Sequence, residues 1–189
     1  KERNTLIGPR AEVTLLDTDG WQVRDPASGR VFPNRLVTWT HQPPEMHGHR
    51  DIGLVARDAN HDDFGLAVLV FQLLLQGRHP FAGVPIGGDL SIEEAIKRRQ
   101  FSYAPALPRR QLGPPPLTLS LAATGKLGDL FCQAFLSLPP APRPTAEEWI
   151  AALESYSASL SDCSVNPAHA RSQGTPCPLC DLESQTGKL

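Results

Sequence analysis

Cys163, His169, Cys177 and Cys180 stand in the order Cys-x5-His-x7-Cys-x2-Cys near the end of the chain. Zinc takes four tetrahedral ligands from thiolate and imidazole, and a Cys-x-x-Cys turn supplies two of them. The set is complete with three thiols and one imidazole, so an ion held here is structural rather than catalytic. Asn166, Pro167, Gly174 and Pro176 suit the turns this requires. The competing readings are a redox dithiol at Cys177 and Cys180, which has no use for Cys163 or His169, and unrelated free cysteines. A nucleic-acid zinc ribbon is a third, and residues 161–189 carry only Arg171 and Lys188 as basic side chains, which speaks against it. Cys132 stands apart and reads as a small buried residue. His47 and His49 lie in a loop with no third ligand nearby and read as solvated.

The chain has 189 residues, 40% of them hydrophobic, a formal charge of -2 and a pI near 6.3. That is enough for one cored domain with a small appendage. It offers no electrostatic case for nucleic acid or an anionic membrane. The longest apolar run, Leu66 to Leu75, is too short to span a bilayer and contains Gln72. Four cysteines, three of them sharing a window with a histidine, favour metal over disulfides and a reducing compartment. The chain begins with Lys rather than Met, and its first residues are expected to lie inside a longer protein.

The elements that must position these residues follow from periodicity. Residues 12–16 read as a short buried strand ending at Asp17. Trp21–Val23 and Arg30–Phe32 read as extended pieces about a turn at Arg24-Asp-Pro-Ala-Ser-Gly29. Residues 33–61 read as loop. Asp62 to Gln76 is apolar nearly all round and predicts a buried central helix, capped by Asp62 or Asp63 and ended by Gly77. Ser91 to Arg99 opens with Ser91 and Glu94 at capping-box spacing. Residues 104–116 are rich in proline and read as an extended linker. Leu127 to Leu136 and Thr145 to Ser157 predict two amphipathic helices, the second with Thr145 and Glu148 at its start. Helical periodicity stops at Ser161.

Asn4 and Asp17 stand thirteen positions apart, and on their own Asp17 and Asp19 read as turn carboxylates at a strand end. Downstream come Pro43-Pro-Glu45, Asp62-Asp-Phe-Gly-Leu-Ala67 and Arg143-Pro-Thr-Ala146. In this order the segments resemble the C-terminal lobe of a protein kinase. The resemblance implies that Lys1-Glu-Arg-Asn4 ends a catalytic loop and that Thr5–Ile7 and Glu12–Leu16 are hairpin strands turning at Gly8-Pro9. Asn4 and Asp17 then hold magnesium against ATP phosphates. It implies a pair between Glu45 and Arg143 that fixes the activation segment. It gives Asp62 the role of accepting hydrogen bonds from the catalytic-loop backbone, and makes Thr38 or Thr40 an acceptor-pocket residue. Gly77-Arg-His-Pro-Phe81 is similar to the family's close of the central helix. Asp17-Thr-Asp19 departs from the family's Asp-Phe-Gly: the metal-binding carboxylate is kept, and the Phe on which the family's in/out switching depends is absent. The catalytic base expected five positions before Asn4 precedes Lys1.

Kinase motifs joined to the Cys/His tail are similar to a bacterial kinase-like family associated with phosphatase and von Willebrand A-type partners in tellurium- or metal-resistance gene neighbourhoods. The expectation is a mainly α fold with short β-hairpins. It is a kinase C-lobe without its N-lobe over 1–160, and a zinc-binding tail over 161–189. The parent is expected to be a cytoplasmic serine/threonine kinase-like protein acting on a partner protein, with this piece inactive alone. The alternative is a pseudokinase scaffold that docks a partner through the lobe and the tail. Neither nucleic acid nor membrane is an expected partner.

Overall fold

The computed structural model describes residues 2–105, 107, 109–139 and 141–186. Thr5–Ile7 (β1) and Val13–Leu15 (β2) pair antiparallel, with Thr5 opposite Leu15 and Ile7 opposite Val13. The Gly8 amide donates to the Glu12 carbonyl at 2.8 Å to close the turn. The strand expected to be buried is exposed: Val13 keeps 61% and Leu15 48% of its surface open. A two-stranded hairpin buries a face only when a further layer covers it, and sequence alternation does not reveal that layer. Val23–Arg24 (β3) and Val31–Phe32 (β4) form a second hairpin. Its turn is fastened by Asp25, whose carboxylate accepts from the Ala27 amide at 3.0 Å and from the Ser28 hydroxyl.

The loop before the central helix contains single 3-10 turns at Trp39–His41, Pro44–Met46 and Ile52–Leu54. Helix α1 runs from Ala59 to Leu74, starting three residues earlier than its apolar stretch predicts. Its cap is Asp58, not Asp62 or Asp63. The Asp58 carboxylate accepts from the His61 amide at 3.2 Å, and His61 Nδ1 accepts from the Asp58 amide at 3.0 Å. This is a capping box with histidine in the position where Glu or Gln is usual. The helix stops where Gln76 and Gly77 take left-handed φ of 56° and 76°.

Val84–Pro85 (β5) pairs with Leu112–Gly113 (β6), so the proline-rich segment is not a plain linker. Gly83 is required there, since a Cβ would run into the Gly113 carbonyl oxygen. Between these strands lies helix α2, Ile92–Lys97. Ser91 Oγ caps it by accepting from the Glu94 amide at 3.2 Å. The Glu94 carboxylate turns forward to Arg98 at 2.7 Å instead of completing the box. Lys126–Leu136 (α3) and Ala146–Ala158 (α4) follow. Thr145 and Glu148 form the reciprocal box at the start of α4.

Helix α3 packs between α1 and α4. The contact is aromatic: Phe71 meets Phe131 edge-on at 5.0 Å between ring centroids, and Phe131 meets Trp149 at 4.8 Å. Phe64, Phe81, Phe101 and Phe135 complete the cluster, all fully buried. Each such side chain contributes about 1.5–3 kcal/mol on burial, and the edge-to-face geometry adds to this. The tail has more regular structure than its periodicity predicts. Leu160–Asp162 (β7) pairs with Ala170–Ser172 (β8), and Pro178–Thr186 forms helix α5. No helix among the described residues is long and apolar enough to cross a membrane.

Candidate functional site

The first hairpin brings Asn4 and Asp17 together. The Leu16 amide donates to the Asn4 carbonyl at 2.8 Å, extending the ladder by one step. Asn4 Nδ2 then donates to Asp17 Oδ2 at 2.9 Å. Asp17 has left-handed backbone angles, φ 61° and ψ 44°, and leads into a 3-10 turn, Thr18–Gly20. Aspartate tolerates that conformation better than a bulky residue does. Asp17 and Asp19 are both exposed. Asn4 lines a cleft of about 560 Å³ with Leu15, Trp21, Gln22, Arg57 and Asp62.

Gln22 ties the chain beside the second hairpin to the start of α1. Its amide donates to the Arg57 carbonyl at 2.8 Å and accepts from the Arg57 amide at 2.9 Å. No local sequence rule marks this link between residues so far apart. Asp62 sits in the first turn of α1, facing the cleft. Burial pushes its carboxyl above the ordinary value, and the Arg57 charge opposes that only in part. Thr40 Oγ1 lies 3.1 Å from His41 Nδ1, and the Thr40 carbonyl accepts from His79 Nε2 at 2.9 Å. Thr38 precedes the turn at Trp39. His47 is not solvated as expected. It is half-buried, its ring centroid lies 5.2 Å from that of Trp39, and its Nε2 donates to the Gln42 carbonyl at 3.1 Å. His49 is exposed.

Glu45 and Arg143, separated by 98 residues, meet in a two-pronged ion pair. Arg143 Nη1 lies 2.7 Å from Glu45 Oε1, and Nη2 donates to Oε2 at 3.0 Å. The Arg143 side chain is only 2% exposed and Glu45 is 23% exposed. Arg143 also donates to the carbonyls of Ala134 and Asn60, at 3.2 and 3.0 Å, and lies over the Phe64 ring. Burial pushes the Glu45 carboxyl up, but the hydrogen bond and charge of Arg143 outweigh it and hold the group below its ordinary value.

Cys163, His169, Cys177 and Cys180 converge so that one ligand atom from each lies within 4.8 Å of the others. The β7–β8 hairpin supplies the first two: the Cys163 amide donates to the His169 carbonyl at 3.0 Å. The start of α5 supplies Cys180, and Cys177 immediately precedes that helix. Cys163 Sγ lies 3.5 Å from Cys180 Sγ, and His169 Nδ1 lies 3.4 Å from Cys180 Sγ and 3.8 Å from Cys177 Sγ. These approximate the edges of a tetrahedron of roughly 3.6–3.8 Å built from zinc–ligand bonds. Backbone amides at Asn166 and Val165 pull the Cys163 thiol down to about 7. Its hydrogen bond to Cys163, followed by burial, pushes Cys180 up to about 12. Three thiols and one imidazole at these separations are the donor set of a metal site. Cys132 is partly buried against the aromatic core, where burial raises its thiol.

Sequence reasoning missed His61 at the α1 cap and Glu183 beside His169. Glu183 Oε1 lies 3.2 Å from His169 Nε2. A signal for Glu183 was present, since it follows Cys180 by three positions and a helix puts such residues on one face.

The chain is similar to protein kinase YegI of Escherichia coli O157:H7, with 35% identity over 97% of its length. Protein kinase YegI of Escherichia coli strain K12 is 34% identical over the same share. The chain is thus similar to proteins named as protein kinases along nearly its whole length. It spans 29% of the length of each of these relatives. No family model and no solved structure matches it.

Proposed function

We propose that this chain is the C-terminal lobe and metal-binding tail of a protein serine/threonine kinase-like protein, with the lobe over 1–160 and the tail over 161–189. The observation that carries this is the likeness to protein kinase YegI along nearly the whole chain. The contact between Asn4 and Asp17 supports it. An amide oxygen and a carboxylate are the hard donors that magnesium takes, and Asn4 and Asp17 would hold it. Magnesium supplies charge neutralisation at the transferring phosphate of ATP. Asp17 contributes a carboxylate at the hairpin end, and Asn4 fixes its direction through a 2.9 Å hydrogen bond. The Glu45–Arg143 pair pins the loop that would present a protein hydroxyl group. The tail would hold zinc as a structural ion.

The second reading is a scaffold that docks a phosphatase or von Willebrand A-type partner without transferring phosphate. It is favoured by Asp17-Thr-Asp19, where a 3-10 turn carrying polar residues replaces an apolar packing residue. The test is magnesium-dependent ATP binding and phosphotransfer by the full-length protein, wild type against Asp17→Ala. Loss of both in the variant is expected. Unchanged Mg–ATP affinity in Asp17→Ala would remove the magnesium assignment, and a wild type inert toward ATP would leave the scaffold.

A further inference from the structure

The two ring nitrogens of His169 face different surroundings. Nδ1 looks toward the sulfurs of Cys177 and Cys180. Nε2 looks away, with Glu183 Oε1 at 3.2 Å and Asn166 Nδ2 at 3.1 Å. Asn166 has its amide orientation set, because its Oδ1 accepts from the Ala168 amide at 3.0 Å. Its nitrogen is therefore the atom that meets the ring.

These neighbours favour opposite tautomers. The Asn166 amide donates, so it favours a bare Nε2 and a proton on Nδ1. The Glu183 carboxylate accepts, so it favours a proton on Nε2 and a bare Nδ1. A metal ion among the three sulfurs needs the lone pair of Nδ1, and the ring proton must then sit on Nε2. Of the two side chains there, only Glu183 can accept it. A metal-bound histidine that donates its other N–H to a carboxylate is held in orientation and made a better ligand. Helix α5 supplies both parts, Cys180 as ligand and Glu183 one turn later.

We infer that Glu183 is a positioning residue of the metal site, holding His169 in the tautomer that presents Nδ1 to the ion against the opposite pull of Asn166. The inference rests on the metal reading of the cluster. Zinc affinity of the full chain, measured by competition with a chromophoric chelator, tests it. Glu183→Ala is expected to bind zinc about 10–100-fold more weakly, and Glu183→Gln to recover part of the loss. Adding Asn166→Asp to Glu183→Ala is expected to restore affinity. That change keeps the oxygen for the Ala168 amide and places an acceptor at Nε2, a rescue that a merely structural role of Glu183 does not produce. In zinc-loaded wild type, nitrogen-15 NMR of the imidazole should show a protonated Nε2 and a metal-bound Nδ1. Zinc on Nε2, or equal affinity of wild type and Glu183→Ala, would overturn the inference while leaving the site. A wild type that binds no zinc would overturn the metal reading and this inference together.

Discussion

Replacing Glu45 with alanine should cost far more than removing a surface charge. The Arg143 guanidinium is 2% exposed and directs two nitrogens at the Glu45 carboxylate, at 2.7 and 3.0 Å. Without it the cation keeps two backbone carbonyls and the face of Phe64. Arginine cannot shed its proton to escape. Stranding one partner of a buried pair costs about 3–5 kcal/mol. Glu45 is itself 23% exposed, so water enters the vacated space and the lower end applies. A loss of about 3 kcal/mol lowers the melting temperature of a domain this size by roughly 6–12 °C. Urea and thermal unfolding of wild type, Glu45→Ala, Arg143→Met and the double variant measure this. The double variant should lose less than the sum of the single losses. Against the upward push of burial, the hydrogen bond and charge of Arg143 hold the carboxyl below its ordinary value in the folded chain. Its stabilisation is therefore present above the unfolded value and lost as pH falls through the lower folded one. The gap between wild type and Glu45→Ala should narrow in acid. A loss under about 1 kcal/mol, the range of exposed ion pairs, with additive single effects, would refute this account.

Asp62→Asn should work in the other direction. The folded carboxyl is raised above its ordinary, unfolded value, mainly by burial. Its relative stabilisation is present below that unfolded value and is lost as pH rises through the folded one. The variant should therefore melt higher than wild type at neutral pH and lose that advantage in acid. A variant that melts lower at neutral pH would show that Asp62 contributes stability. Cys177→Ser should reduce bound zinc per chain and speed amide exchange across the β7–β8 hairpin. Equal zinc content in variant and wild type would exclude Cys177 as a ligand.

Features that depend on neighbours in sequence could be read without a structure. Thr145 and Glu148 mark the start of α4 because a capping box is closed within one turn. The Cys-x-x-Cys pair is legible for the same reason, since one tight turn sets its geometry. The cap of α1 escaped notice because His61 stands where the rule expects Glu or Gln, which left Asp58 unmarked. The exposure of Val13 and Leu15 escaped it because burial depends on what covers a hairpin. The β5–β6 pair joins segments separated by α2, and the prolines around β6 pointed away from a strand.

By itself the sequence determined the cysteine and histidine types, their spacing, and the start of α4, whose capping box closes within one turn. Tertiary structure alone decided that Gln22 clasps Arg57, and it brings within bonding distance the Glu45 and Arg143 that the family resemblance had only implied as a pair. Side-chain identity sets what a group can bond to. Which partner lies within 3 to 4 Å is set by packing of segments far apart in the chain, which no local pattern encodes.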